Sequence, residues 1–429
     1  MSILLKNCNY VVTQNKDREV LRNVDIGIEN NKIKEISSET KDSYEEEIDC
    51  SNKVVLPGMV NTHTHAGMSI MRGYSDDKEL FPWLEDMWEL ENQLTSKEVK
   101  IGTALSILEM LKTGTTGFLD MYFALDEVPE LIERSGIRGY IGWAVFDPDK
   151  TTQKGDPIDN AERFIKKHKD KELVYPHIAP HAVYTCGDEQ YIKSKEIADE
   201  HGVLLHTHAA ETRKEVSDCR KENGKRVIEY LNSLNVLDDS TVLAHVGWIT
   251  KKEAKIIGDN GSMVSHCPVS NMKLATGGVS PLPEFKEYGV PVSIGSDGAV
   301  SNNSLNLFES GKVTALLQKH SRWNASLSSA QEILDILTLS PGSFLKEGTG
   351  KLVPGATADL ITIDLNRPGN RPVYNVVSNL VYSTSLSTPI CDSLINGKIV
   401  VRDGEVKTLN EEKIISKASN ISEKLVGEL

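Results

Sequence analysis

Six of the eleven histidines, one aspartate and one glutamate stand at or just beyond the ends of apolar, β-type runs. His63-Thr64-His65 closes the first of these runs. Residues i and i+2 on a strand point to the same face, so both imidazoles can aim at one place. Two neutral imidazoles side by side are poor core filler but good ligands for a divalent metal. His206-Thr207-His208 repeats the spacing, and spacing alone does not say which of that pair binds. His63, His65, His208 and Asp297 together supply three nitrogens and one oxygen, a set suited to zinc with a water. No lysine ends the run that closes at His181, where a bridging modified lysine would be needed for two metals. One metal is the simpler expectation.

Glu211 lies three residues past His208, just off the strand end. A buried, partly protonated carboxyl there can shuttle a proton without being a ligand. The same residue also reads as a helix-start carboxylate before Thr212-Arg213-Lys214. His245, in LAHVGW, reads as a ligand, a base or an orienting group, with a satisfied core histidine as the lesser alternative. Asp297 follows an apolar strand and is flanked by small residues. A carboxylate so placed can touch a metal and accept the proton of its water. Metal binding lowers that water's pKa from about 16 to about 7, so hydroxide forms at neutral pH.

Positioning these groups requires strands that end on one rim. Eight β-type runs can be counted between Lys53 and Gly298: KVVLPGMVNTHTH, TTGFLDMYF, RGYIGWAVF, LVYPHIAPH, VLLHTHAAE, TVLAHVGWI, SMVSHCPVS and VPVSIGSDG. Segments of helical period alternate with them, the signature of βα units around a parallel sheet. Thr95-Ser96-Lys97-Glu98 is a capping-box pattern that opens a helix closed by Gly114, and Gly202 stops the segment from Asp188 to His201. No GxGxxG follows the first strand, which argues against an open dinucleotide-binding sheet. The count and length fit a (β/α)8 TIM-type barrel, whose active site lies at the C-terminal ends of its strands.

Short strands flank the barrel on both sides, with turns at Glu29-Asn30-Asn31-Lys32 and Asn396-Gly397. Alternation along Val24–Ile28 predicts a half-buried strand. We therefore expect a barrel domain over residues 57–350, and a small β-sandwich built from residues 1–56 and 351–429.

The 429 residues carry 48 Lys+Arg and 62 Asp+Glu, a net charge of −14. Such an acidic surface repels a phosphate backbone, which argues against nucleic-acid binding but not against a single nucleoside as substrate. No apolar run approaches the roughly 18–20 residues that cross a bilayer, and no membrane association is expected. The start lacks a secretory pattern, and the six scattered cysteines suit a reducing compartment, so a cytoplasmic protein is expected.

PGMVNTHTH, GTTGFLDMY, PHAVYTC, HTHAAETRKEV, LAHVGW, SHCPVSNMKLATG, GSDGAVSNNSLNLF and GKLVPGATADLITID resemble the amidohydrolase superfamily. The closer similarity is to its methylthioadenosine/S-adenosylhomocysteine deaminase branch, and it covers almost the whole chain. The resemblance implies a barrel with a sandwich from both termini, one Zn2+ (or Fe2+ or Mn2+), and hydrolytic deamination of a heterocycle. It implies His63, His65, His208 and Asp297 as metal ligands, His245 as the group that orients the hydroxide, and Glu211 as the proton shuttle. It implies Glu91 on the ribose hydroxyls and His181 beside the nucleoside, whereas periodicity alone reads Glu91 as a solvated helix charge. A homodimer or homotetramer is implied as well.

One departure concerns Trp143, near which the branch commonly has an arginine for a substrate carboxylate. Trp143 cannot pair with a carboxylate but can pack on an apolar group. This favours 5′-methylthioadenosine or 5′-deoxyadenosine over S-adenosylhomocysteine. The rival expectations are another aminated or chlorinated ring (pterin, guanine, triazine) and a non-catalytic binding module.

Overall fold

The eight apolar runs form eight parallel strands, hydrogen-bonded in sequential order around a barrel. The computed structural model describes residues 2–40, 42–384 and 390–427. Residues 1, 41, 385–389 and 428–429, all in the terminal segments assigned above to the sandwich, lie outside the described residues. The barrel strands are Met59–Thr64, Thr115–Tyr122, Arg138–Val145, Val174–Pro180, Leu205–Ala209, Thr241–His245, Met263–His266 and Val292–Ile294. Every residue in them except Tyr175 is buried, as expected when helices cover the outer face of a parallel sheet. The seam between the first and last strands is bridged by the Asp297 N–H donating to His63 O (2.9 Å) and the Ser296 N–H donating to Asn61 Oδ1 (2.9 Å).

The first run serves two sheets. Lys53–Pro57 pairs antiparallel with Leu360–Asp364, and after Gly58 the chain re-enters as the first barrel strand, parallel to Thr115–Tyr122. Two flanking sheets complete the architecture. One has four strands in the order Lys32–Ser37, Val24–Glu29, Ser2–Cys8, Glu46–Asp49. The other has seven and interleaves N-terminal strands (Tyr10–Val12, Lys53–Pro57) with C-terminal ones (Leu360–Asp364, Ile390–Ile395). Ile3, Leu5, Ile26 and Ile28 of the first sheet pack with Val11, Val55, Leu360 and Leu394 of the second in one apolar core. Both ends of the chain therefore build the sandwich.

Val24–Glu29 is buried on both faces rather than one, because Asp25 turns inward and accepts backbone N–H bonds from Asn7 (2.8 Å) and Thr40 (3.2 Å). The strand-rich reading of the C-terminal segment omits a helix, Glu411–Gly427. Its buried Ile414, Ala418 and Leu425 recur at helical spacing. Lys112 at the end of the capping-box helix Ser96–Lys112 pairs with Glu411 at 2.7 Å.

The barrel and sandwich are joined by a buried ion pair. Arg138 at the start of the third barrel strand donates through Nε to Asp359 Oδ2 (2.6 Å) and through Nη2 to Asp359 Oδ1 (3.1 Å). Both side chains are at most 5% exposed, so the bidentate geometry is what offsets their desolvation.

Candidate active site

His63 and His65 at the end of the first barrel strand, and His208 on the fifth, meet at the C-terminal mouth of the barrel. Their ring ligand atoms all lie within 4.8 Å of one another. His65 Nε2 is 3.2 Å from His208 Nε2. Asp297 Oδ1 is 3.4 Å from His63 Nε2 and 3.3 Å from His65 Nε2. Gly295 makes this approach feasible, since a Cβ there would sit 2.6 Å from His63 Cβ.

The hydrogen bonds around the rings decide what this cluster can hold. His65 Nδ1 donates to Met121 O (2.7 Å) and His208 Nδ1 donates to His181 O (2.8 Å). Each Nδ1 therefore carries the proton, and two bare Nε2 lone pairs face each other across 3.2 Å. Two lone pairs at that distance repel unless a cation lies between them. His63 Nε2 is likewise buried with no hydrogen-bond partner among the described residues. The edge of a tetrahedron around a zinc with bonds of about 2.0–2.1 Å is about 3.3–3.4 Å, close to the distances found. The donor set fits a divalent metal.

Electrostatics points the same way. Burial pushes His63 down to about 3, and burial with the neighbouring imidazoles holds His208 well below the ordinary histidine value. Burial works against the charge of Asp297, but the adjacent ring of His63 and the other imidazoles around it prevail and hold it well below the carboxylate range. Ser270 Oγ (2.5 Å) and Ser301 Oγ (2.9 Å) donate to its Oδ2. A second, overlapping grouping joins His63 and His245 to Cys267. The Cys267 thiol is raised by burial and by Asp297, and it donates to Ser265 O at 3.5 Å.

Glu211 and His245 stand beside the cluster. Glu211 is 4% exposed, and burial followed by the charge of Asp297 lifts it to about 8, so it is protonated at neutral pH. Glu215 fixes the turn that carries it, accepting the backbone N–H of Ala210 (3.1 Å) and of Glu211 (2.7 Å). His245 donates through Nδ1 to Asn271 Oδ1 (2.7 Å), which leaves its Nε2 as the free lone pair, and that Nδ1 lies 3.8 Å from Glu211 Oε1. His245 (φ +70°) and Asp297 (φ +65°) both adopt the left-handed backbone. Such conformations cost about 1–3 kcal/mol each in non-glycine residues and concentrate at functional sites.

A cavity of about 890 Å³ reaches the cluster at His65 and His181. That volume is ample for a nucleoside-sized ligand. Its wall includes Glu91, Tyr122, Trp83, Trp143, Phe146, Lys154 and Arg163. Glu91 is the last residue of the helix Leu80–Glu91 and accepts from Tyr122 Oη at 2.7 Å. Burial raises its carboxyl to about 7, against the opposing effect of Tyr122. Glu91 is thus not the solvated charge that periodicity suggests. His181 stacks on Phe146 (4.7 Å) and bonds Thr185 Oγ1 through Nδ1 (2.8 Å). Trp143 donates to Gln153 Oε1 (2.9 Å), and Gln153 Nε2 donates to Ala144 O (3.0 Å), which ties the following loop over the third strand.

All nine residues singled out from the sequence are therefore at this cluster or its cavity. His266, also expected on the rim, is buried with neither ring nitrogen bonded among the described residues, and it is not part of the converging set. Sequence reasoning missed Tyr122, Asn271, Asp120 and Gln153. Tyr122 and Asn271 lie inside motifs already quoted, GTTGFLDMY and SHCPVSNMKLATG, but nothing in their types announces the partner. Asp120 Oδ1 accepts from Thr64 Oγ1 (2.9 Å) and from the Ala66 N–H (2.7 Å), pinning the chain on either side of His65.

Comparison with known proteins gives three kinds of likeness. The profile of the Amidohydrolase family matches residues 54–400. A 5′-deoxyadenosine deaminase from Methanothrix thermoacetophila is 38% identical over 416 residues, covering 96% of this chain and 98% of that one. A 5-methylthioadenosine/S-adenosylhomocysteine deaminase from Thermodesulfovibrio yellowstonii is 37% identical over 421 residues, covering 95% of each. Among solved structures, an adenosine deaminase from Xanthomonas campestris with bound zinc superposes with a TM-score of 0.95 at 28% identity, covering 99% of this chain and 98% of that one.

Proposed function

The chain belongs to the amidohydrolase family, and on that premise we propose that it is a hydrolytic deaminase of a 6-aminopurine nucleoside with a small neutral 5′ group, such as 5′-deoxyadenosine or 5′-methylthioadenosine. The observation that carries this reading is the junction of two features. A metal-competent cluster with a protonated Glu211 beside it opens into a nucleoside-sized cavity whose wall presents Glu91.

His63, His65, His208 and Asp297 would hold one divalent metal, which we take to be zinc, with iron or manganese as alternatives. Bound there, it supplies a water whose pKa lies near 7. Glu211 delivers its proton to the ring nitrogen next to the amino-bearing carbon as the water oxygen bonds to that carbon. Asp297 and the Nε2 lone pair of His245 accept protons from the attacking water. The tetrahedral carbon then expels the amino group. One of the two protons taken from the water passes to the amino group, which leaves as ammonia, and the other restores the Glu211 carboxyl, while the proton given by Glu211 stays on the ring nitrogen of the 6-oxopurine. Glu91 accepts hydrogen bonds from the ribose hydroxyls, and His181 lies against the nucleoside. Trp143 presents an indole to the 5′ group.

One observation favours a second reading. Lys154 and Arg163 line the same cavity and have no carboxylate partner among the described residues. They would suit an anionic 5′ tail such as that of S-adenosylhomocysteine, despite Trp143. We place the enzyme in the cytoplasm as a homodimer or homotetramer. Its six cysteines are free thiols, and sedimentation equilibrium tests the assembly.

The decisive assay is ammonia release by zinc-loaded protein. Its substrates are 5′-deoxyadenosine, 5′-methylthioadenosine, adenosine, S-adenosylhomocysteine, guanine, an aminopterin-type pterin and an aminotriazine. Preference for the first two supports the main reading, and preference for the carboxylate-bearing nucleoside supports the second. Turnover of only the free rings overturns both.

A further inference from the structure

Each of the three site imidazoles needs an acceptor on Nδ1 so that Nε2 faces the common point. For His65 and His208 that acceptor is a backbone carbonyl, Met121 O and His181 O, fixed by the strand ladder. For His63 it is a side chain. His63 Nδ1 lies 3.0 Å from His206 Nε2, edge-to-face with ring centroids 4.9 Å apart.

We propose that His206 is a positioning residue of the metal site, fixing the tautomer and ring orientation of His63 by accepting its Nδ1 proton. The inference rests on the reading of His63 as a metal ligand. His206 shares a strand face with His208, yet its Nε2 meets the Nδ1 of His63 and is not among the converging ligand atoms. Both His63 and His206 are 0% exposed, so no bulk water can substitute as the acceptor. His206 is itself confined by the ring of His177, centroid 5.7 Å away. That ring fills the space over Gly142, where a Cβ would come within 2.4 Å of His177 Nε2. Without the acceptor, the proton on His63 gains nothing by staying on Nδ1. The competing tautomer places it on Nε2, 3.4 Å from Asp297 Oδ1, where it blocks coordination. Partners that orient ligand histidines typically change metal affinity about 10–100-fold when removed.

The test is zinc affinity, measured by chelator competition on the full chain, for the parent, His206→Phe and His206→Gln. Phe keeps the ring volume without an acceptor, whereas Gln can present Oε1 near the lost Nε2. The expected result is zinc binding about 10–100-fold weaker in His206→Phe, substantially restored in His206→Gln, with the melting temperature of the metal-free proteins little changed. Should His206→Phe not fold, His206→Ala takes its place with the same expected loss. Parent-like affinity in the folded Phe or Ala variant overturns the role of His206 alone. A parent that binds no zinc overturns the metal-site reading on which it stands.

Discussion

Tyr122 Oη donates to Glu91 Oε1 across 2.7 Å, joining the end of the second barrel strand to the last turn of a helix that borders the cavity. Burial lifts the Glu91 carboxyl to about 7 while Tyr122 and His65 pull it down. A raised carboxyl pKa means that the ionised form, the better acceptor for two ribose hydroxyls, is populated only above about 7. The parent kcat/KM should therefore fall as pH drops through 7, through a rise in KM. The Glu91→Gln variant should lack this limb and bind about 10–100-fold more weakly at pH 8, in line with about 1.5–3 kcal/mol for a charged hydrogen bond. The same shift makes the folded chain hold more protons than the unfolded one between about 4.5 and 7. The contribution of Glu91 to stability consequently declines as pH rises through that window. An unchanged pH profile in Glu91→Gln contradicts its role.

Glu211 is protonated at neutral pH because burial and Asp297 raise it to about 8. Replacing it with Gln preserves shape but removes the transferable proton. Steady-state kinetics should show kcat lower by about 100- to 10,000-fold, with KM and bound metal near parental values. Loss of metal in Glu211→Gln would point instead to a structural role.

Much of this cluster is legible in the sequence because strand ends are legible. An apolar β-type run that stops at His-x-His, His or Ser-Asp-Gly says both where the rim lies and what stands on it. The choice between His206 and His208 is not, since the two share a face and only the three-dimensional register sets His208 Nε2 beside His65 Nε2 and His206 Nε2 against the Nδ1 of His63. Glu91 is hidden for another reason. It lies on an otherwise ordinary helix, and its burial comes from Tyr122 on a strand 31 residues away. The C-terminal helix carries a helical spacing in Ile414, Ala418 and Leu425 that a strand-based reading of the segment passes over, and its apolar face is covered by the distant helix Ser96–Lys112.

Trp143 donates to Gln153, and the two side chains close one wall of the cavity with Phe164 behind the indole at 5.5 Å. If this wall receives a neutral 5′ group, Trp143→Arg should raise kcat/KM for S-adenosylhomocysteine relative to 5′-methylthioadenosine by about tenfold or more, as a new charged hydrogen bond allows. If Lys154 and Arg163 already hold a carboxylate, Trp143→Arg should add little and Arg163→Met should lower the ratio instead.

The Arg138–Asp359 pair holds barrel to sandwich far from the chemistry. Asp359→Ala removes the bidentate partner of a buried guanidinium and leaves it only Glu347 at 3.8 Å as a carboxylate, a loss of about 3–5 kcal/mol at most. Denaturant unfolding should show that loss, whereas turnover of the remaining folded protein should stay near the parental value. A loss under about 1 kcal/mol would mean that the joint is carried by apolar packing.

The central claim is that four side chains gather one cation without which no water is activated. Its most direct measurement is ammonia release from 5′-deoxyadenosine by metal-stripped protein titrated with zinc. The account predicts negligible release at the start, a linear rise, and a break at about one zinc per chain, a stoichiometry set by a single four-ligand site. Full activity in thoroughly stripped protein, or zinc taken up without any gain in turnover, would contradict it.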